Sequence, residues 1–97
     1  MLESVVEKAL VAAVRQFGGW ALKWVSPGQD GVPDRIVLMA VPAHHQQIVA
    51  TYVRFVETKA PGGTPRPIQG AVHKRLRKMG YRVDVPDSRE AVRALYS

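Results

Sequence analysis

The spacing of apolar residues along this chain changes from helical to strand-like and back, and glycine or proline marks each change. In residues 2–17 the apolar positions Leu2, Val5, Val6, Ala9, Leu10, Ala13, Val14 and Phe17 keep the three-and-four step of an amphipathic helix. Gly18 and Gly19 end it, because glycine enters the left-handed region of a helix C-terminus without a Cβ clash. WALKWVS then alternates as a strand does, and SPGQDG is a turn. Residues 34–41 read as a fully buried strand, VPAHHQ as a loop, and residues 48–59 as a long strand of β-branched and aromatic side chains. After APGGTP, Thr64 is the expected cap of a helix with Pro65 in its first turn and Ile68, Val72, Leu76 and Met79 as its buried stripe. Gly80 stops that helix, YRVDV is a short strand, and Asp87 with Glu90 has capping-box spacing ahead of a last helix through Tyr96. The expected order is α-β-β-β-α-β-α, a mixed sheet flanked by helices in the α/β class.

At 97 residues the chain is expected to form one domain, residues 1–97. It has no cysteine, which excludes disulfides and cysteine-based zinc sites and suits a reducing compartment. The apolar runs fall short of the roughly 20 residues of a membrane span. The start MLESVVEKAL carries acids where a signal peptide carries bases, so the expectation is a soluble protein of the cytoplasm, the host cell's if the source is viral, with no membrane partner. Fourteen Lys and Arg against eight Asp and Glu give a net charge of +6, which favours polyanionic partners, nucleic acid first.

Charge at the head of an apolar strand needs a reason. GVPDRIVLMA opens with Asp34 and Arg35 before its apolar run, and an unpaired carboxylate in a low-dielectric site costs roughly several kcal/mol unless it meets a cation. On the next expected strand, alternation puts Val53, Phe55, Glu57 and Lys59 on one face. If the two strands form a hairpin, Asp34 neighbours Glu57 and Lys59. Carboxylates that close repel, and a hard divalent ion such as Mg²⁺ relieves them while leaving positions for water and phosphate oxygen. Lys59 can then orient or deprotonate a water, or neutralise charge building on the phosphate.

With G-x-PD-R at residues 31–35, E-x-K at Glu57 and Lys59, Gln69 ten residues on, and Glu7 to Leu10 in the first helix, the chain resembles the virus-type replication-repair nuclease (VRR-NUC) domain of the PD-(D/E)xK superfamily. The resemblance extends over about residues 3–92 and includes the paired glycines after the first helix and the KAPGG turn. It implies a restriction-endonuclease-like fold and a metal-dependent DNA endonuclease, with Asp34 and Glu57 as ligands of Mg²⁺ or Mn²⁺ and Lys59 as the catalytic lysine. Glu7, rather than Glu3, matches the helix-one acid; Gln69 matches the glutamine near the scissile phosphate. Thr58 stands where the family usually has leucine, and its backbone carbonyl would be the ligand. Residues 42–47 lengthen the loop between strands, which can offset the pairing of Asp34 with Glu57. Stand-alone members resemble homodimeric resolvases of four-way (Holliday) junctions, so branched DNA is the implied partner, with no organic cofactor. A less selective nuclease of flaps or duplex, and a non-catalytic DNA-binding module, are the competing readings.

The remaining polar residues divide less sharply. His73, Lys74, Arg75, Arg77 and Lys78 form a basic run that can contact DNA phosphates or simply meet the negative end of a helix dipole. Arg35 can reach a phosphate or pair with an acid. His44, His45 and His73 lack further ligands at zinc spacing and read as solvated. Trp20, Trp24 and Tyr81 read as core or core-edge aromatics rather than a base-stacking platform.

Overall fold

The computed structural model describes residues 2–96. Its elements are α1 (Glu3–Gln16), β1 (Trp20–Lys23), β2 (Arg35–Leu38), a 3-10 turn (Ala43–His45), α2 (Gln46–Tyr52), β3 (Phe55–Val56), α3 (Pro67–Lys78), β4 (Val83–Asp84) and α4 (Arg89–Ala94). The chain is a mixed α/β protein that divides into two compact units, one up to Ala40 and one from Val41 onward.

In the first unit α1 ends as its sequence requires. Gly18 has φ +80, and the Gly19 N–H returns to the Val14 carbonyl at 2.9 Å. A Cβ on Gly19 would stand 2.8 Å from the Leu38 carbonyl, so one glycine serves the backbone turn and the other serves close packing. β1 and β2 pair antiparallel from Trp20↔Leu38 to Lys23↔Arg35, and the Trp24 N–H continues the ladder to the Asp34 carbonyl at 2.9 Å. Val14, Ala21 and Leu38 are the buried apolar residues of this unit. The expectation of a fully buried strand at residues 34–41 is corrected: Val37 is 45% and Met39 41% exposed. A two-stranded ribbon packed on one helix covers a single face, so alternate side chains stay in solvent.

The second unit departs most from expectation. Residues 48–59 do not form one long strand; α2 runs through the front of that segment to Tyr52, and β3 is short. Ile48, Val49 and Tyr52 fit a helical period as well as an alternating one, and tertiary contacts decide between them. Arg54 supplies the decision. Its Nε donates to the Ala50 carbonyl at 3.0 Å and its Nη1 to the Leu95 carbonyl at 2.6 Å, so a cation satisfies the end of α2 and ties it to the end of α4. The observed order is therefore α-β-β-α-β-α-β-α, with two two-stranded sheets. The hairpin expected between the second and third strands is also corrected, since β2 takes β1 as its ladder partner and β3 takes β4.

β3 and β4 run parallel, Phe55↔Val83 and Val56↔Asp84, joined through α3. The N–H groups of Phe55, Glu57 and Lys59 donate to the carbonyls of Arg82, Asp84 and Pro86 at 3.1, 2.9 and 3.1 Å, so the extended pairing continues to Lys59. α3 begins at Pro67, not after Thr64. A residue preceding proline is pushed out of the helical region, and Arg66 accordingly sits at φ −63, ψ 155, as the cap. α3 ends at Gly80, φ +99, with the Tyr81 N–H returning to the Leu76 carbonyl at 3.1 Å. Leu76 is 3% exposed and Val83 7%, and the Tyr81 ring meets Phe55 edge-on at 5.8 Å. The cap of α4 is Ser88, whose Oγ accepts from the Ala91 N–H at 3.0 Å; Asp87, the expected cap, accepts from the Gly62 N–H instead. Among the described residues no helix is long and apolar enough to cross a membrane.

Candidate active site

The parallel ladder presents Glu57 and Lys59 on one face, because both N–H groups point at β4 and its continuation and alternate side chains share a side. Lys59 Nζ lies 3.9 Å from Glu57 Oε2. Its short bond goes elsewhere, to Gln69 Oε1 at 2.8 Å. Gln69 stands in the first turn of α3, and the same oxygen accepts the Arg66 N–H at 2.9 Å, so one side chain both opens the helix and steadies the lysine. One turn on, His73 places Nε2 3.7 Å from Glu57 Oε1. Neither approach to Glu57 is a hydrogen bond. Its side chain is 28% exposed, flanked by a cation and an imidazole with its lone pairs uncommitted.

Glu7, Asp34 and Arg35 belong to the first unit. Arg35 Nη2 donates to Glu7 Oε1 at 3.2 Å and Nη1 to the Ala21 carbonyl at 3.1 Å. Its Nε is buried and unpartnered among the described residues. The Asp34 carbonyl belongs to the ladder, but its carboxylate is exposed and makes no hydrogen bond or ion pair among the described residues. Glu7, Asp34 and Arg35 line one open hollow of about 250 Å³, together with Glu3. A second hollow, of about 380 Å³, is lined by Lys8, Arg15 and Arg35 with Glu7, a surplus of positive charge suited to an anion.

The basic run on α3 splits by helical phase. His73 is 7% exposed, which corrects the solvated reading: it is buried, as is Leu76. Arg77 donates from Nη2 to the Val83 carbonyl at 2.9 Å and so helps hold β4. Lys74 and Lys78, one turn apart, are exposed. His44 and His45 are exposed, as expected, with their rings 4.0 Å apart. Thr58 is exposed and lines, with Lys59, Pro86 and Asp87, a hollow of about 360 Å³. Among the described residues no three His, Asp or Glu side chains form a closed metal cage. Mg²⁺ does not require one, since it keeps several waters and takes one or two carboxylates plus substrate phosphate. The exposed carboxylate of Asp34 in the first unit and the uncommitted carboxylate of Glu57 in the second are each a donor of the type such an ion takes.

Sequence reasoning misses two features of this geometry. The Glu7–Arg35 pair joins residues far apart in the chain, which no local pattern signals. The inward turn of His73 does have a signal, its four-residue spacing from Gln69 on one helix face.

No protein-family model matches the chain, and no solved structure matches it. Over 88 residues, 91% of this chain and 85% of the other, it is 48% identical to "Putative nuclease p44" of Acyrthosiphon pisum secondary endosymbiont phage 1.

Proposed function

We propose, because this chain belongs to the same family as that phage nuclease, that it is a divalent-metal-dependent DNA endonuclease of the VRR-NUC type that hydrolyses phosphodiester bonds in branched DNA. The preferred substrate is a four-way junction, and the working form in the host cytoplasm is a homodimer, whose two-fold symmetry would match that of the junction. The observation that carries the reading is the state of Glu57, a partly exposed carboxylate beside Lys59 and His73 that accepts no hydrogen bond among the described residues.

The motif order supports Asp34 and Glu57 as the principal ligands of Mg²⁺ or Mn²⁺, with the Thr58 carbonyl and the helix-one acid Glu7 as further oxygen donors. Glu7 is the weaker donor of the set, since Arg35 already holds its Oε1. The bound ion would supply charge neutralisation at the phosphate. Hydrolysis adds a water oxygen to phosphorus, breaks the bond to the leaving sugar oxygen and delivers a proton to that oxygen. Lys59 Nζ, steadied by Gln69, can hydrogen-bond the attacking water or a non-bridging oxygen as charge accumulates there. Arg35, oriented by Glu7 and the Ala21 carbonyl, can hold a neighbouring phosphate. Lys74 and Lys78 are free to track the DNA backbone.

The test is a panel of labelled four-way, flap and duplex DNA incubated with and without Mg²⁺, with cut sites mapped and the mass in solution measured by sedimentation. Paired, symmetry-related incisions in the junction by a species of twice 10.7 kDa are expected. A monomer that prefers flaps or duplex would replace the resolvase by a less selective endonuclease. Binding without cutting under every metal condition would leave a DNA-binding module.

A further inference from the structure

We propose that His73 is a nitrogen ligand to the ion held by Glu57, and that this tilts the site toward Mn²⁺ over Mg²⁺. The inference rests on the reading of Glu57 as a metal ligand. The structure contributes three observations that the motif does not contain. His73 is buried, 7% exposed, on the same inward face of α3 as Leu76, where an apolar side chain would pack without desolvating a polar ring. Its Nε2 faces Glu57 Oε1 at 3.7 Å and makes no hydrogen bond among the described residues. Lys59 approaches the other oxygen, Oε2, so the lysine and the imidazole make their closest approaches to different oxygens of the carboxylate.

Two ligands in adjacent positions of a six-coordinate ion, with bonds near 2.1 Å, stand roughly 3 Å apart. The observed separation lies within a side-chain adjustment of that value. Carboxylate and water oxygens suit Mg²⁺ and Mn²⁺ alike, but a nitrogen donor binds a first-row transition ion better than the harder Mg²⁺, so one ring nitrogen in a site otherwise built from carboxylates shifts preference from Mg²⁺ toward Mn²⁺. Gln69 and His73 then divide the work of one helix face. The first steadies the lysine, and the second completes the ligand set.

The experiment uses the full chain, stripped of metal and loaded with Mn²⁺ alone. Pulsed electron paramagnetic resonance of the wild-type protein is expected to show a directly bound imidazole nitrogen. The signal should persist in a His44→Gln/His45→Gln variant and disappear in His73→Gln. By calorimetry, His73→Gln should lose roughly 10–100-fold in Mn²⁺ affinity and distinctly less in Mg²⁺ affinity. The spectrum of wild type does not depend on any variant folding. All-oxygen coordination in wild type, with Mn²⁺ binding abolished by Glu57→Gln, would overturn the role of His73 and leave the reading of Glu57 standing. Mn²⁺ binding undiminished in Glu57→Gln would overturn the reading on which the inference rests.

Discussion

Glu7 and Glu57 are buried to nearly the same degree, 30% and 28% exposed at the side chain, and each has a cation beside it. They differ in what the cation does. Arg35 donates directly to Glu7 at 3.2 Å and is itself fixed on the Ala21 carbonyl. Lys59 gives its short bond to Gln69 and stands 3.9 Å from Glu57, too far to occupy its lone pairs. Burial therefore does not distinguish an acid already held by a cation from one open to a ligand. The commitment of the neighbouring cation does.

The largest test of this contrast is Glu57→Gln or Asp34→Asn. Either change should abolish strand cleavage while DNA binding measured by anisotropy stays intact or tightens, because on the proposed mechanism a metal ligand and a charge that repels phosphate would be lost together. Lys59→Ala should come next, with kcat lower by about 10²–10³-fold and metal binding by calorimetry retained, since on the proposed mechanism the lysine would act on water or phosphate. Glu7→Gln should cost less. The amide oxygen can still accept from Arg35, so stability should fall by at most about 1 kcal/mol in urea melts, as for partly exposed pairs, with metal affinity reduced about tenfold. If Glu7→Gln silenced cleavage as fully as Glu57→Gln, the two acids would be equivalent and the contrast broken. The smallest effect belongs to Lys74→Ala with Lys78→Ala. Each phosphate contact removed should flatten the log-log salt dependence of duplex binding by roughly 0.9, and an unchanged slope would place both lysines away from DNA.

The same division between local and distant partners separates what is legible in the sequence from what is not. α1, its stop at Gly18 and Gly19, and the stop of α3 at Gly80 follow from period and glycine chemistry within a few residues. Glu57 beside Lys59 follows from strand alternation. The start of α3 is also local, but it depends on the effect of Pro67 on Arg66 rather than on the better capping residue Thr64. Residues 48–59 mislead because their apolar spacing suits both periods, and the group that settles the matter, Arg54, acts through a carbonyl on Leu95. Strand pairing is likewise non-local. β2 pairs with β1 and β3 with β4, so no ladder joins the strands of Asp34 and Glu57, and the pairing of these two acids rests on the motif order and the substitutions above. His73 adjoins the lysines and arginines in sequence, whereas its phase on the helix groups it with Gln69 and Leu76.

Metal dependence of DNA cleavage is the central claim, and one titration tests it most directly. Wild-type protein treated with excess chelator should leave a labelled four-way junction uncut, and adding Mg²⁺ or Mn²⁺ back should restore incision in proportion to site occupancy. Cleavage that continues at full rate in chelator would contradict the account, because an uncommitted Glu57 beside Lys59 would then have no ion to hold.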